Sequence, residues 1–438
     1  MRKTVSALIA IWLILLLILF LPGCKPKENS GQTENDPDVD AADATSGSGG
    51  GEETKTGDSD PPGKIISVSA GSGHTMALDD KGRLWVWGDN FFGQVGDGNR
   101  STYLEPVYEY HEETEYADII DGRVRDIDND VYTPKYIMDN VKEIFARENS
   151  SFAITKDNKL YAWGNNAYGQ LGDGTKENKL KPAYIMDDVL YVDSTGFTTI
   201  ILKADNSLWV AGCEIASFVY ERQVYEKPVL LYKNVKKAVI NGAAYNSAGI
   251  LILTLDNKCI EYRPSELNSE SYIFKEINID NIIDIASASQ QVYLLNTDGE
   301  VYGWGANGFD GKLGARPEEF WVYEPVFIMS GIKKIINGRM FIKNDGALLT
   351  WGTVASTEDY RGPQGELGGG VRGDLIVYGA SPVSILDNII MADGRNFHFV
   401  AVDNNGIVYT WGENFYGQLG NGTSEDKTVP AAIEFINN

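Results

Sequence analysis

Catalysis in proteins leans on histidine, cysteine and carboxylate side chains, and this chain is sparing with the first two. Its 438 residues include three histidines and three cysteines, against 62 aspartates and glutamates. His74 and His398 each stand thirteen residues before a tryptophan, Trp87 and Trp411. An equivalent place in two repeated segments points to a structural hydrogen bond rather than a proton shuttle, and His111 stands apart from both. Asp126, Asp128 and Asp130 alternate as in a calcium loop, but Val131 and Ile137 occupy the places of its glycine and closing glutamate, which makes this a weak calcium candidate. Two of so many carboxylates could stand close enough for hydrolysis, and spacing in sequence does not say which. Nucleophile elbow, phosphate-binding glycine loop and zinc spacing are all missing. The sequence supports no catalytic residue, no cofactor, and no metal beyond that weak candidate.

Cysteine tells more about place than about chemistry. Arg2-Lys3 precedes an apolar run from Val5 to Phe20 and then Leu21-Pro22-Gly23-Cys24, the layout of a secretory signal. Leu-x-Gly-Cys resembles the bacterial lipobox, which implies cleavage after residue 23 and lipidation of Cys24; the alternative is an uncleaved membrane anchor. Either reading puts the rest of the chain outside the bacterial cytoplasmic membrane, lipid-anchored to its outer side or to the envelope. Residues 24–63 are acidic and rich in Gly and Ser with almost no apolar content, so they form a disordered tether, spanning about 35 Å as a flexible coil. Cys213 and Cys259 remain; two buried thiols are preferred over a bridge between them.

The elements that must position any site announce themselves by recurrence. WGDNFFGQVGDG at 87–98 returns as WGNNAYGQLGDG at 163–174 and as WGENFYGQLGNG at 411–422. Weaker copies carry Trp304 and Trp351, while Ala211 and Tyr262 fill the tryptophan slot in two degenerate ones. Apart from the first interval, the slots are 42 to 60 residues apart. Five and six residues before each slot stand Lys81-Gly82, Asp157-Asn158, Asp205-Asn206, Asp256-Asn257, Asp298-Gly299, Asp345-Gly346 and Asn405-Gly406, pairs suited to positive φ in hairpin turns. Alternating apolar runs flank each turn. A period of this length, built from small antiparallel sheets, predicts an all-β fold: a seven-bladed β-propeller over residues 64–438. In it Trp87, Trp163, Trp304, Trp351 and Trp411 are structural. An acidic insert interrupts the first repeat at about 103–131.

The stretch Ala70 to Gly98, AGSGHTMALDDKGRLWVWGDNFFGQVGDG, resembles the repeat of the regulator of chromosome condensation family. That likeness implies seven-bladed propellers, with His74 and His398 in the place of the family's motif histidine. The family's founding member is a nuclear exchange factor for a small GTPase, an activity that an exported acidic chain gives no ground to carry over.

Ring closure is expected from the last strand. Residues 429–436 resemble the stretches after Pro134 and Pro182, and Ile65-Ile66-Ser67-Val68 has no preceding partner, so the sequence predicts pairing of the amino- and carboxy-terminal strands.

Function is sought in the connection that varies. Equivalent loops of a propeller emerge on one face, and the one following each glycine-rich turn brings Tyr103, Tyr108, Tyr110 and Tyr116, then Phe218, Tyr220 and Tyr225, then Phe320, Trp321 and Tyr323, amid many carboxylates. Aromatics among polar groups suit protein contact, and covering of blade edges is the equal alternative for some of these rings. A net charge of -24 repels nucleic acid and favours a basic partner. The expected function is an envelope-tethered protein-binding scaffold, a monomer whose only membrane contact is its lipid. Inhibition of an extracytoplasmic enzyme, and an envelope enzyme or carbohydrate binder, are the alternatives.

Overall fold

The computed structural model describes residues 62–103, 107–111, 116–121, 125–213, 224–241, 249–264, 272–288, 291–307, 313–316, 318–337, 340–351, 382–395 and 397–435. The expected signal peptide, Cys24 and nearly all of the tether lie outside them.

Hairpin chemistry builds the unit. Gly82, Asn158, Asn206, Asn257, Gly299, Gly346 and Gly406, the second residue of each expected turn pair, all have positive φ. Each turn joins the middle two strands of a four-stranded antiparallel sheet, and seven such sheets follow one another along the chain. The slot register also holds. Trp87 pairs with Thr75, Trp163 with Ser151, Trp304 with Val292 and Trp411 with Phe399; Ala211 and Tyr262 occupy the same place opposite Thr199 and Ile250. Backbone geometry is therefore kept in the blades where the side chain has changed.

The inner strands are Ile65–Ala70, Val141–Arg147, Val189–Ser194, Val235–Asn241, Ile282–Ala288, Ile332–Asn337 and Ile389–Arg395. They touch in that cyclic order, and the first also packs on the last, so the sheets form a closed ring of seven blades. A second repeated signal lies at their entry. Asn140, Asp188, Asn234, Asn281, Gly331 and Asn388 have positive φ just before an inner strand. The N–H groups of Val141, Val189, Val235, Ile332 and Ile389 then donate to the turn carbonyls of Gly82, Asn158, Asn206, Gly299 and Gly346 in the preceding blade. These bonds stitch blade to blade.

Closure differs from the expected strand exchange. The last strand, Lys427–Ile433, pairs with Val408–Gly412 of its own blade, and all four strands of the first blade come from residues 65–138. What seals the ring is side-chain packing: Val68, Trp85 and Trp87 share one apolar cluster with Val400, Val402, Val408 and Ile433. Phe435 lies edge-on to both tryptophans, 6.0 Å from Trp85 and 5.9 Å from Trp87. Apolar contact of this size stabilises without any ladder of hydrogen bonds.

An antiparallel sheet of four strands sorts its connections. The hairpin turns and the entries to the inner strands lie on one face of the disc, the turn face. The links between first and second strands, and between third and fourth, lie on the other, the loop face. Every copy of the WGxNxxGQLGxG phrase is a link of the latter kind. Within the first of them, Val107–His111 pairs with Tyr116–Asp121, and Thr102–Tyr103 with Arg125–Ile127.

Candidate partner-binding face

The repeated phrase makes each loop a self-contained unit. Asn90, Asn166, Asn307 and Asn414 accept the N–H of Val95, Leu171, Leu313 and Leu419 on Oδ1 and donate through Nδ2 to carbonyls across the loop. Gln94, Gln170 and Gln418 accept the N–H two residues earlier on Oε1. These buried amides satisfy backbone groups that no strand can reach.

The loops then reach into the next blade. The Gln94 carbonyl accepts the Trp163 indole N–H at 2.9 Å and the Ser151 hydroxyl at 2.7 Å. The Gln418 carbonyl accepts Trp87 at 2.9 Å and Thr75 at 2.8 Å. Because those hydroxyl protons are committed to carbonyls, Ser151 and Thr75 accept in turn from Nε2 of His74, at 2.9 Å, and of His398, at 3.0 Å. Burial holds both imidazoles neutral: His74 is pushed down to about 3, helped by His398, and His398 to about 4, against the pull of Asp393. Trp87, Trp163, Gln94, Gln418, His74 and His398 thus join neighbouring blades.

At the axis stands a charged network for which the sequence gives no spacing signal. Arg147 meets Asp193 at 2.8 Å and Asp393 at 3.4 Å; Arg395 meets Asp193 and Glu148, each at 3.3 Å. Ser69 donates to Asp393 at 2.9 Å, and Asp193 also accepts the Ile240 N–H at 2.9 Å. Burial acts to lower the Arg147 pKa, but Asp193 and Asp393 outweigh it and the net shift is upward. Nearer the turn face, Lys237 meets Asp284 at 2.5 Å, and Lys334, which burial makes less basic, rests on the Met391 sulfur. These groups tie blades one, two, three, four and seven at one level, and four to seven at the other.

The sequence-predicted contact residues divide. Phe320 and Tyr323 are 50% and 76% exposed, with the Trp321 ring 6.3 Å from that of Tyr323 and inclined to it by 46°. Tyr225 instead packs on the apolar cluster shared by the third and fourth blades, an edge-covering role. Tyr103, Tyr108, Tyr110 and Tyr116 fall on the short strands of the insert; Phe218 and Tyr220 lie outside the described residues, as do 352–381. The carboxylates of the weak calcium candidate are engaged by protein groups. Asp130 is buried and caps the loop through the Asn90 N–H and Ser101 hydroxyl, Asp128 accepts from the Asp130 N–H and the Tyr132 hydroxyl, and Asp126 accepts from Thr102. The three carboxylates serve separate partners, and no metal-binding group of three or more such side chains forms among the described residues. Cys213 and Cys259 are buried thiols without a disulfide, and burial pushes the Cys259 thiol up.

Exposed phenyl rings on the loop face were not among the expected contacts. Phe91, Phe197, Phe397 and Phe415 are 37%, 40%, 39% and 56% exposed; Phe91 and Phe415 stand within the repeated phrase, and Phe197 and Phe397 immediately precede second strands.

Regulator of chromosome condensation (RCC1) repeats are matched at residues 65–94 and 141–170, and again at 157–195 and 405–438. The chain is 26% identical over 391 residues to the E3 ubiquitin-protein ligase HERC2 of Homo sapiens, covering 82% of this chain but only 7% of that protein. It is 25% identical over 401 residues to the guanine nucleotide exchange factor SRM1 of Saccharomyces cerevisiae, covering 85% of this chain and 74% of the relative. The ultraviolet-B receptor UVR8 of Arabidopsis thaliana is 25% identical over 391 residues, at 85% and 70%. Among solved structures, human WBSCR16 aligns with a TM-score of 0.45 and 16% identity over 85% of this chain and 83% of that one. Yeast RCC1 (Prp20), bound to Kap60, aligns at 0.43 and 18% over 85% and 75%.

Proposed function

We propose, for a chain that carries repeats of the regulator of chromosome condensation family, the role of a protein-binding scaffold that engages its partner through the loop face. The observation that supports this reading is topological. The connections between third and fourth strands leave from one face, so the acidic insert at 103–131 and the loop that ends at the exposed Phe320 emerge on the same side of the disc. Carboxylates far outnumber basic groups in that insert, which favours a basic partner and speeds encounter at low salt. The same charge works against nucleic acid, whose affinity comes mainly from neutralised phosphates.

The lipobox-like Leu21-Pro22-Gly23-Cys24 supports export and a lipid anchor on Cys24, with residues 25–62 as the spacer. The exchange and ligase activities named for the relatives belong to those proteins, and the chain spans only 7% of the ligase.

Crosslinking in intact cells followed by capture tests the reading. The full-length protein should retain a specific partner that a variant lacking residues 103–131 loses while both resist protease equally. Equal capture by the two would refute it. Should the captured protein be an enzyme whose turnover falls on binding, the scaffold acts as an inhibitor.

A further inference from the structure

Every inner strand opens with the same irregularity. Its first and third residues pair with the second strand and the residue between them is left out of the register, a β-bulge in each of the seven blades. A bulge re-aims the side chain that it frees. All seven freed side chains are exposed, on the turn face and close around the axis.

Their types alternate round the ring. Blades one, three, five and seven present Ile66, Leu190, Ile283 and Ile390, and blades two, four and six present Lys142, Lys236 and Lys333. Lys142 and Lys236 donate to neutral amides, Asn158 at 3.2 Å and Asn257 at 2.7 Å, and none of the three lysines forms an ion pair among the described residues. The aspartates of the hairpin turns stand farther from the axis, where Asp157 and Asp345 are met by Lys159 and Lys343. In a chain of net charge -24, three cations without counter-ions and four bare aliphatic side chains fit a partner that is anionic and apolar at once.

The acidic residues of 25–62 could meet the lysines, but apart from proline that segment offers only Val39 and three alanines to the aliphatic half of the collar. A second copy facing the collar would add three more cations. A bilayer with anionic headgroups answers both halves, with phosphates for the lysines and the acyl boundary for isoleucine and leucine. The chain also enters the disc on this face, where the Gly63 N–H donates to Asp79 at 2.9 Å.

We propose that this collar rests on an anionic lipid surface, its aliphatic side chains entering the headgroup boundary and its lysines meeting phosphates. The choice of lipid rests on the reading of Cys24 as an anchor and goes beyond it: the propeller touches the membrane through its own turn face, which aims the loop face outward at the partner.

Flotation with vesicles tests this on the chain from residue 24 with Cys24→Ser, so that neither signal nor lipid contributes; all seven blades lie within 65–433. Phosphatidylcholine vesicles containing about one third phosphatidylglycerol should bind it at low salt about tenfold or more tighter than phosphatidylcholine alone. Lys142→Gln, Lys236→Gln and Lys333→Gln together should remove that preference, and Leu190→Ser with Ile283→Ser should weaken binding about fivefold or more. Removing the same charge from the loop face, by Lys176→Gln, Lys181→Gln and Lys227→Gln, should change nothing. All these side chains are exposed, so unchanged thermal midpoints report intact folding. The collar is overturned if the vesicles are not distinguished, if the collar variants bind as the parent does, if the loop-face variant loses as much, or if sedimentation shows a dimer that the collar variants abolish. Labelled palmitate taken up by the unaltered protein in cells, without vesicle binding by the Cys24→Ser chain, would sink the collar and leave the anchor; collar-dependent binding without label would do the reverse.

Discussion

His398 and Thr75, 323 residues apart, meet at 3.0 Å across the join between the last blade and the first. The same bond, His74 to Ser151 at 2.9 Å, joins the first blade to the second. The seam where the chain closes on itself is therefore built like an interior junction, and Thr75 passes its own proton to the Gln418 carbonyl.

Thr75→Val should cost about 1–3 kcal/mol, because it leaves a buried imidazole N–H and a carbonyl each short of a partner while keeping the side-chain shape. Urea unfolding measures this, with Ser151→Ala as the interior counterpart. A loss near zero would show that apolar packing alone closes the ring.

Acid should destabilise the propeller through its two buried imidazoles. Unfolded histidines take up protons below 6.5, whereas the folded ones stay neutral to about 3 for His74 and about 4 for His398. Unfolding then binds protons in that window, so stability is flat above pH 6.5 and falls as pH drops below it. The slope is about 1.4 kcal/mol per pH unit for each histidine. Urea midpoints between pH 7.5 and 5 should fall less steeply in a His74→Gln, His398→Gln double variant; parallel lines would mean that the histidines are not the source.

Trp163→Ala should cost about 3–5 kcal/mol, since the ring is fully buried and its indole serves the Gln94 carbonyl. Calorimetry on the whole chain would register this as a lower transition temperature. A change under about 1 kcal/mol would remove the tryptophan from the inter-blade contact.

Arg147→Leu should cost about 3–5 kcal/mol by leaving Asp193 and Asp393 buried beside an apolar side chain. Adding Asp193→Asn should return part of that loss. Additive costs in the double variant would argue against a coupled axial network.

Much of this architecture can be read from local spacing. Gly82 and Asn158 stand at a fixed distance from their tryptophans because a hairpin turn and a strand have fixed lengths, and Ala211 keeps its register although the ring is gone. Contacts between distant stretches leave no such trace. Arg147 and Asp393 lie 246 residues apart, and nothing in the local spacing of their inner strands, VKEIFAR and IIMADGR, pairs them. The likeness of 429–436 to the stretches after Pro134 and Pro182 does mark an outer strand, but outer strands pair within their own blade. The expectation of exchange rested on Ile65–Ala70 lacking a predecessor, and the ring supplies side chains there instead.

Four strands per blade, with none exchanged, also fix where the propeller can be held. The first inner strand starts at Ile65 and the last outer strand stops at Ile433 on the same side of the disc, the side of the hairpin turns. A lipid, a bead or a fused domain attached through either end would leave the opposite side unobstructed, so immobilising this molecule for partner screening needs no choice between its two termini.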